Sequence, residues 1–288
     1  MEKKAAWRDV ALTAVAPAIW GSTYYVTSEF LPDGYPLTLA VLRALPAGLL
    51  LMLIIRRLPP AGWLWRIVIL GALNFSIFWA LLFVAAYVLP GGVAATLGAL
   101  QAIVVVFLSH ILLKTPILKE NVTSAAFGVV GVALLLNPSI ALDPLGIGAA
   151  LGCAVSMALG TVLSRKWQPP VSPLTFTAWQ LTAGGGLLVP FALWFEPPLP
   201  SLSADNYLGL LYLGLIGAAV TYYLWFRGVA RIDPAAVSIL GFFSPLTAVL
   251  LGWVLLGQVL SPFQMVGGLI VLGCVWCSQN ASRFAKLA

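Results

Sequence analysis

The sequence predicts an all-α integral membrane protein of ten transmembrane helices, arranged as two inverted five-helix repeats. Three observations predict this fold. Of 288 residues, 61% are hydrophobic and 8% are charged, whereas a typical soluble domain has roughly 25% charged residues. The apolar residues form ten stretches of membrane-spanning length, and a motif of the first half recurs in the second. A soluble core of this size would leave much apolar surface in water, so most of the chain is expected to lie in lipid.

The ten predicted spans follow from length and punctuation. A helix needs about 20 mostly apolar residues to cross the hydrocarbon core. Breaks at proline, glycine and charge clusters delimit the spans 9–28, 36–55, 64–86, 91–113, 120–137, 144–164, 173–195, 206–226, 234–256 and 262–280. The first stretch is too long for the apolar part of a signal peptide, so we expect it to stay as the first span.

The charges of the loops predict the orientation. In a ten-span topology, fourteen of the fifteen basic residues lie on one side: Lys3, Lys4, Arg8, Arg56, Arg57, Arg66, Lys114, Lys119, Arg165, Lys166, Arg227, Arg231, Arg283 and Lys286. The opposite loops carry acidic residues only: Glu29, Asp33, Asp143, Glu196 and Asp205. By the positive-inside rule, both termini are predicted to be cytoplasmic. The net charge of +6 therefore indicates orientation, and no nucleic-acid partner is predicted.

An internal repeat divides the chain into two predicted units, residues 1–141 and 142–288. The segment 36–43, PLTLAVLR, returns almost half a chain length later as PLTFTAWQ at 173–180. Leu97-Gly98 matches Leu240-Gly241, and Trp79 matches Tyr222. The residue numbers within these two matches differ by the same amount, and we call this difference the repeat offset. Because five spans are an odd number, the second half must start on the opposite side of the membrane, so the repeats are predicted to be inverted.

Arg43 is the one strongly charged residue well inside an apolar stretch. An arginine near the middle of a membrane helix costs about 3 kcal/mol on insertion scales. Two interpretations stay open: Arg43 contacts a substrate carboxylate or a gate, or it binds helix-end carbonyls and holds the bundle together. The matching position of the second half is Gln180, which favours one asymmetric role.

Aromatic residues and a few polar ones cluster in the spans expected to face the centre. The residues predicted to bind substrate are Trp20, Tyr24, Arg43, Asn74, Phe78, Trp79, Gln101, Trp179, Tyr222 and Ser244. Pro17 and Pro245 are predicted to bend their helices, because proline removes a backbone donor. Apolar walls with sparse hydrogen-bonding groups suit an amphipathic solute with one polar head.

Several short motifs resemble the EamA-type exporters of the ten-helix drug/metabolite transporter superfamily. They are Trp20-Gly21-Ser22-Thr23, Leu42-Arg43, Ala85-Ala86-Tyr87 with Gly91-Gly92-Val93-Ala94-Ala95, Ser244-Pro245-Leu246-Thr247-Ala248, and Gly267-Gly268 before Gly273. The resemblance covers the whole chain, and within the family it is nearest to bacterial inner-membrane amino-acid exporters, including those for aromatic amino acids. It implies a cavity between the halves and alternating access by rocking.

Two positions depart from the family pattern. The family often has Gln-Pro in the fourth span, where this chain reads Gln101-Ala102, so no bend matching that of Ser244-Pro245 is expected there. It often has Gly-Glu near the end of the ninth span, where this chain reads Gly257-Gln258, so no carboxylate is available at that place.

The expected function is export of amino acids or similar small amphipathic metabolites across the bacterial inner membrane. The alternatives are export of another drug or metabolite, such as a nucleoside, sugar or phosphate-bearing solute, and an intramembrane lipid enzyme. No Asp or Glu occupies the middle of a span, which disfavours a cationic-drug antiporter, and no hydrolase or metalloprotease motif occurs. We expect no enzymatic activity, no cofactor and no metal, with a small solute and membrane lipid as partners of a monomer.

Overall fold

The computed structural model describes residues 2–89, 91–137 and 143–284, and within them the chain forms helices and no strand. The long helices, numbered α1 to α10, are Glu2–Phe30, Pro36–Ile55, residues 64–88, residues 91–113, Lys119–Leu136, Pro144–Lys166, Pro173–Phe195, Ala204–Arg231, Pro234–Leu256 and Pro262–Gln279. A 3₁₀ turn, Ala61–Trp63, precedes α3, and a short helix, Ala281–Phe284, follows α10. Every predicted span overlaps one of these helices, while the predicted division at 141/142 lies outside the described residues.

Nine helices in the described part of the chain, α2 to α10, are long and apolar enough to cross a membrane. The protein is therefore a multi-pass membrane protein. Helix α1 is not among the nine although it has 29 residues. The reason lies in its second half, where Trp20, Tyr24 and Tyr25 stand beside hydroxyl residues and lower its mean hydropathy.

Two helices are interrupted at matching places. Helix α9 consists of Pro234–Leu240 and Phe243–Leu256, and α4 consists of Gly91–Ala99 and Gln101–Leu113. In α9 the cause is Pro245, which has no N–H to offer. In α4 the interruption at Leu100 occurs without a proline, contrary to the expectation from Ala102: the backbone N–H of Leu100 bonds to the carbonyl of Leu97 at 3.1 Å, three residues back.

The helix boundaries of the two halves match at the repeat offset. The first and last residues of α4 and α5 correspond to those of α9 and α10, at the pairs 91 and 234, 113 and 256, 119 and 262, and 136 and 279. Each half also contains one helix with a π-helical segment, Ala72–Ser76 in α3 and Tyr212–Val220 in α8. Shifted by the repeat offset, 72–76 becomes 215–219, which lies inside the second segment.

Matching helices of the two halves pack with opposite directions. Where α2 meets α7, Gly48 lies against Thr182 while Gly185 lies against Leu45, so one helix runs up as the other runs down. Helices α5 and α10 are likewise antiparallel, because Gly131 lies against Gly267 whereas the earlier Asn121 bonds to the later Ser278 at 2.9 Å. The glycines allow the close backbone approach on which helix association in lipid depends.

In the remaining contacts, too, helices of one half pack on helices of the other half. Helices α3 and α4 of the first half pack on α6, and α8 and α9 of the second half pack on α1. Helix α1 thus packs on helices of the other half, and α6 packs mainly on helices of the other half as well. These six helices enclose the centre of the bundle, where the candidate site lies.

Candidate functional site

A cavity of about 610 Å³ lies between α1, α2, α3, α6, α8 and α9. It extends to the α1–α2 loop, where Pro32, Asp33 and Tyr35 form part of its wall. Most of the lining is aromatic or aliphatic, and the aromatic part consists of Trp20, Tyr24, Tyr35, Phe78, Trp79, Phe83 and Tyr222. The volume lies within the range of about 300 to 1,000 Å³ that small-molecule sites occupy.

Arg43 contributes the positive charge of this cavity. Its Nη2 donates to the carbonyl oxygen of Gly217 at 2.8 Å, and its guanidinium carbon lies 5.6 Å from the ring centre of Trp79. The Nε–H has no hydrogen-bond partner within the part of the chain that the structure describes. Among the described residues, the ion pairs join Asp9 to Arg227 and Arg231, and none involves Arg43. The guanidinium is therefore held in place but not neutralised, and it can bind an anionic group.

The π-helical segment of α8 supplies the acceptor that positions Arg43. The carbonyl oxygen of Gly217 accepts from Arg43 and also from the hydroxyl of Thr221 at 2.8 Å. Thr221 Oγ1 in turn accepts from Trp20 Nε1 at 2.9 Å. Because π-helical turns are rare and frequently occur at functional sites, this chain of bonds marks the place where α1, α2 and α8 meet beside the cavity.

A smaller chamber of about 170 Å³ adjoins the cavity. It shares wall residues with the cavity, namely Trp20, Tyr24, Phe78, Leu82, Met157 and Ser244. The rest of its wall comes mainly from the interrupted parts of α4 and α9, including Gln101 and Pro245. The two spaces therefore form neighbouring compartments at the centre of the bundle.

Most of the residues predicted to bind substrate lie at these two spaces. The main cavity is lined by Trp20, Tyr24, Arg43, Phe78, Trp79, Tyr222 and Ser244, and the chamber by Gln101. Pro245 lies in the chamber wall, whereas Pro17 is inside α1 and lines neither space.

Asn74 and Trp179, which were also predicted to bind substrate, line neither of these two spaces. Asn74 is fully buried and its Nδ2 donates to Gln180 Oε1 at 2.8 Å and to Ser164 Oγ at 3.2 Å. An amide in lipid needs partners, and here protein side chains accept from the Nδ2, while the Oδ1 has no hydrogen-bond partner among the described residues. Trp179 is also buried, and its Nε1 donates to the carbonyl of Arg57 at 2.7 Å, in the basic loop that follows α2.

Sequence reasoning missed other wall residues, notably Thr23 and Thr27 of α1. Together with Trp20 and Tyr24 they occupy the spacing i, i+3, i+4 and i+7, which places them on one helix face. Thr23 Oγ1 is buried without a hydrogen-bond partner. Once Trp20 is predicted to line the cavity, the helical period predicts that Thr23 and Thr27 line it too.

The opposite ends of the same helices are held together by polar contacts. Asp9 Oδ1 lies 2.5 Å from Arg227 Nη2 and 3.2 Å from Arg231 Nη1, which joins the start of α1 to the end of α8. Arg165 at the end of α6 donates to the carbonyls of Val229 and Ala230. The bundle is therefore closed on the side of the basic loops, while the cavity extends to an acidic loop on the other side.

A multi-pass helical bundle with a solute-sized cavity reaching one side has the architecture of a membrane transporter. The comparisons agree: the EamA-like transporter family matches residues 8–137 and 144–278, and the chain belongs to this family. Protein PecM of Dickeya dadantii (strain 3937) is 44% identical over 274 residues, covering 94% of this chain and 92% of the relative.

Two further comparisons bear on class and fold. A probable amino-acid metabolite efflux pump of Salmonella typhimurium is 22% identical over 298 residues, covering 98% of each chain. One solved crystal structure has a TM-score of 0.84 and 21% identity, with 96% of this chain and 98% of that chain covered, so this likeness shows the fold alone. The protein is a membrane transporter of small metabolites, in agreement with the name of its family and with the efflux pump among its relatives.

Proposed function

We propose that the protein exports amino acids or similar small amphipathic metabolites across the bacterial inner membrane by alternating access. The observation that carries this proposal is Arg43, an unneutralised cation fixed in a cavity with aromatic walls. The carboxylate of the solute binds the guanidinium, and its apolar part packs against rings such as Trp79 and Tyr222. A charge-assisted bond of this kind is about twice as strong as a neutral one.

The wall of the cavity also offers groups for the ammonium of an amino acid. Thr23, Thr27 and Ser28 place hydroxyl oxygens along the α1 side, and Asp33 lies at the α1–α2 loop. Hydroxyl and carboxylate oxygens accept hydrogen bonds from an ammonium group. A zwitterion therefore finds a cation on α2 and acceptors on α1 and its following loop.

Alternating access is supported by the relation between the halves. We propose ten spans, α1 included, and two inverted repeats, residues 1–141 and 142–288. The antiparallel packing of α2 with α7, and the repeat offset that relates the boundaries of α4 and α5 to those of α9 and α10, support this proposal. When inverted repeats exchange conformations, a cavity that reaches one side closes and reopens on the other. We further propose a monomer in which both termini lie with the basic loops in the cytoplasm.

A phosphate-bearing solute is less well matched by the cavity. Such a group carries about two negative charges near neutral pH, whereas Arg43 is the basic residue of the lining in the described chain. Nucleosides and sugars, which carry no carboxylate, leave the guanidinium unpaired. These solutes are the comparison compounds of the experiment below.

The test is counterflow of labelled amino acids into proteoliposomes, with a nucleoside, a sugar and a sugar phosphate beside them. We expect saturable flux of neutral or aromatic amino acids above empty vesicles. Flux is also measured for Arg43→Gln. Its matched control is Arg66→Gln, because Arg66 lies outside the cavity and stacks on Trp63 and Trp65. Flux of the comparison compounds without flux of any amino acid refutes the proposed substrate class.

A further inference from the structure

The smaller chamber is built from residues that match between the halves. Five pairs related by the repeat offset form much of its wall: Ala95 and Ser238, Gly98 and Gly241, Ala99 and Phe242, Gln101 and Ser244, and Ala102 and Pro245. The chamber therefore lies where the interrupted parts of α4 and α9 face each other. Its shape comes from two breaks that repeat, but its polar groups do not repeat, because Gln101 matches a serine and Ser238 matches an alanine.

Two side chains of the chamber have free hydrogen-bonding capacity. Gln101 and Ser244 are half-buried, and within residues 2–89, 91–137 and 143–284 neither side chain forms a hydrogen bond. Ser238 differs, since its hydroxyl donates to the carbonyl of Ala235 at 2.8 Å. An amide at membrane depth without a partner costs free energy, so Gln101 needs a partner from outside the protein.

The chamber also lacks charge. None of its described wall residues is ionised at neutral pH, in contrast to the main cavity with Arg43 and Asp33. A charged group in this chamber would be buried without a counter-ion, which is strongly unfavourable. The chemistry that fits is an uncharged group that donates and accepts hydrogen bonds, such as a hydroxyl or a carboxamide.

We infer that the chamber is a subsite for an uncharged hydrogen-bonding group of the solute whose carboxylate Arg43 binds in the main cavity. The inference rests on the proposed function, because it gives a binding place to the other end of the solute whose carboxylate binds Arg43. One molecule can occupy both compartments since they share Trp20, Tyr24, Phe78, Leu82, Met157 and Ser244 as wall residues. The protein thus selects solutes that carry a carboxylate, an apolar body and a neutral polar end.

The experiment compares solutes that differ by one hydroxyl. Equilibrium binding to the purified full chain in nanodiscs is measured for phenylalanine and tyrosine, and for 3-phenylpropionate and 3-(4-hydroxyphenyl)propionate. Loss of one hydrogen bond changes affinity by about threefold to tenfold. We expect the hydroxylated member of each pair to bind more tightly by this factor.

Two variants and a control assign the effect to the chamber. Gln101→Leu removes the free amide, and Gly98→Val fills the space, which a side chain at Gly98 can do because nothing lies within 4 Å of its added Cβ. Both variants are expected to bring the ratio of tyrosine affinity to phenylalanine affinity close to one. Thr96→Val is the control, since Thr96 bonds to Gly92 of its own helix and lines neither space.

The outcomes separate this inference from the proposed function. If both amino acids bind but the hydroxyl has no effect, or its effect survives both variants, the chamber holds water only and the inference is overturned. If the two propionates alone bind, and the variants abolish the preference for the hydroxyl, the subsite stands and the amino-acid proposal falls. If none of the four compounds binds, both are overturned.

Discussion

Arg43 on α2 and Gln180 on α7 occupy matching positions of the two halves, and each bonds to the π-helical segment of a helix from the other half. Arg43 donates to Gly217 of α8 at 2.8 Å, and Gln180 accepts from Asn74 of α3 at 2.8 Å. Gly217 and Asn74 are themselves related by the repeat offset. The contact between this position and a π-helical segment of the other half therefore occurs twice. The copy with the cation borders the cavity, whereas the neutral copy is sealed inside the bundle.

The first prediction concerns the copy that borders the cavity. Arg43→Gln gives α2 the residue that α7 has, so an uncharged amide replaces the guanidinium and the charge is lost. A hydrogen bond to a charged group contributes about 1.5 to 3 kcal/mol, so KM for amino acids should rise by about tenfold to a hundredfold in counterflow assays. Arg66→Gln should keep the KM of the parent. If Arg43→Gln lowers thermal stability and leaves KM unchanged, Arg43 holds the bundle together and does not bind substrate.

The second prediction concerns the buried contact between Asn74 and Gln180. Asn74→Ala removes the partner of Gln180 and leaves a buried amide with the hydroxyl of Ser164 at 3.4 Å. Such bonds in membrane proteins contribute about 1 kcal/mol, so the apparent Tm should fall while KM stays the same. The double variant Asn74→Leu with Gln180→Leu should regain part of the loss, because no unpaired amide remains. A raised KM with parental Tm in Asn74→Ala would return Asn74 to the substrate site.

The third prediction concerns the contact between α1 and α9. An added Cβ at Gly21 would lie 2.5 Å from the carbonyl oxygen of Ser244 and 2.7 Å from Thr247 Cβ. Overpacking of this kind costs about 1 to 3 kcal/mol. Gly21→Ala should therefore lower the apparent Tm and reduce transport, because α9 must move away from α1 beside the chamber.

Gly273→Ala provides the matched control for this change. A Cβ at Gly273 in α10 meets nothing within 4 Å, and alanine favours a helix by about 1 kcal/mol relative to glycine. The control should be as stable as the parent protein or more stable. Equal stability of Gly21→Ala and Gly273→Ala would show that α1 and α9 are less closely packed than the structure has them.

The sequence predicted the helices well because lipid leaves the backbone few choices. Polar backbone groups must be satisfied within each span, so apolar length and flanking charge fix where the helices lie. The repeat was readable for the same reason, since 173–180 follows 36–43 closely. The π-helical segments and the interruption at Leu100 were not readable, because they depend on packing between helices. Neither Ala72–Ser76 nor Leu100 carries a proline that would mark them.

The candidate site was predictable in type but not in full detail. Trp20 and Trp79, predicted to bind substrate, line the cavity, whereas Trp179, predicted in the same way, lies away from it and bonds to the carbonyl of Arg57. Substrate binding by these residues stays a prediction. Which face of a helix turns to the centre depends on the partner helix. Asn74 shows the same difficulty, because its partners Ser164 and Gln180 lie far away along the chain.

The last prediction tests the closed side of the bundle. Asp9 joins the start of α1 to Arg227 and Arg231 of α8, so Asp9→Asn weakens the contact that closes the basic side. Under alternating access, the population open to that side should increase. Cys153 reports it, since it lines the chamber and is the one cysteine left when Cys274 and Cys277 are replaced by alanine.

The measurement is the rate at which a charged thiol reagent labels Cys153 from the basic side in oriented vesicles. Cys153 should be labelled faster in Asp9→Asn than in its parent. In Asp205→Asn, which removes an exposed carboxylate on the acidic side, Cys153 should be labelled at the parental rate. The physical reason is that opening must break the ion pairs of Asp9 before reagent can reach the chamber. If Asp9→Asn lowers the apparent Tm without faster labelling, the ion pairs stabilise both conformations equally, and they do not form the barrier to opening on this side.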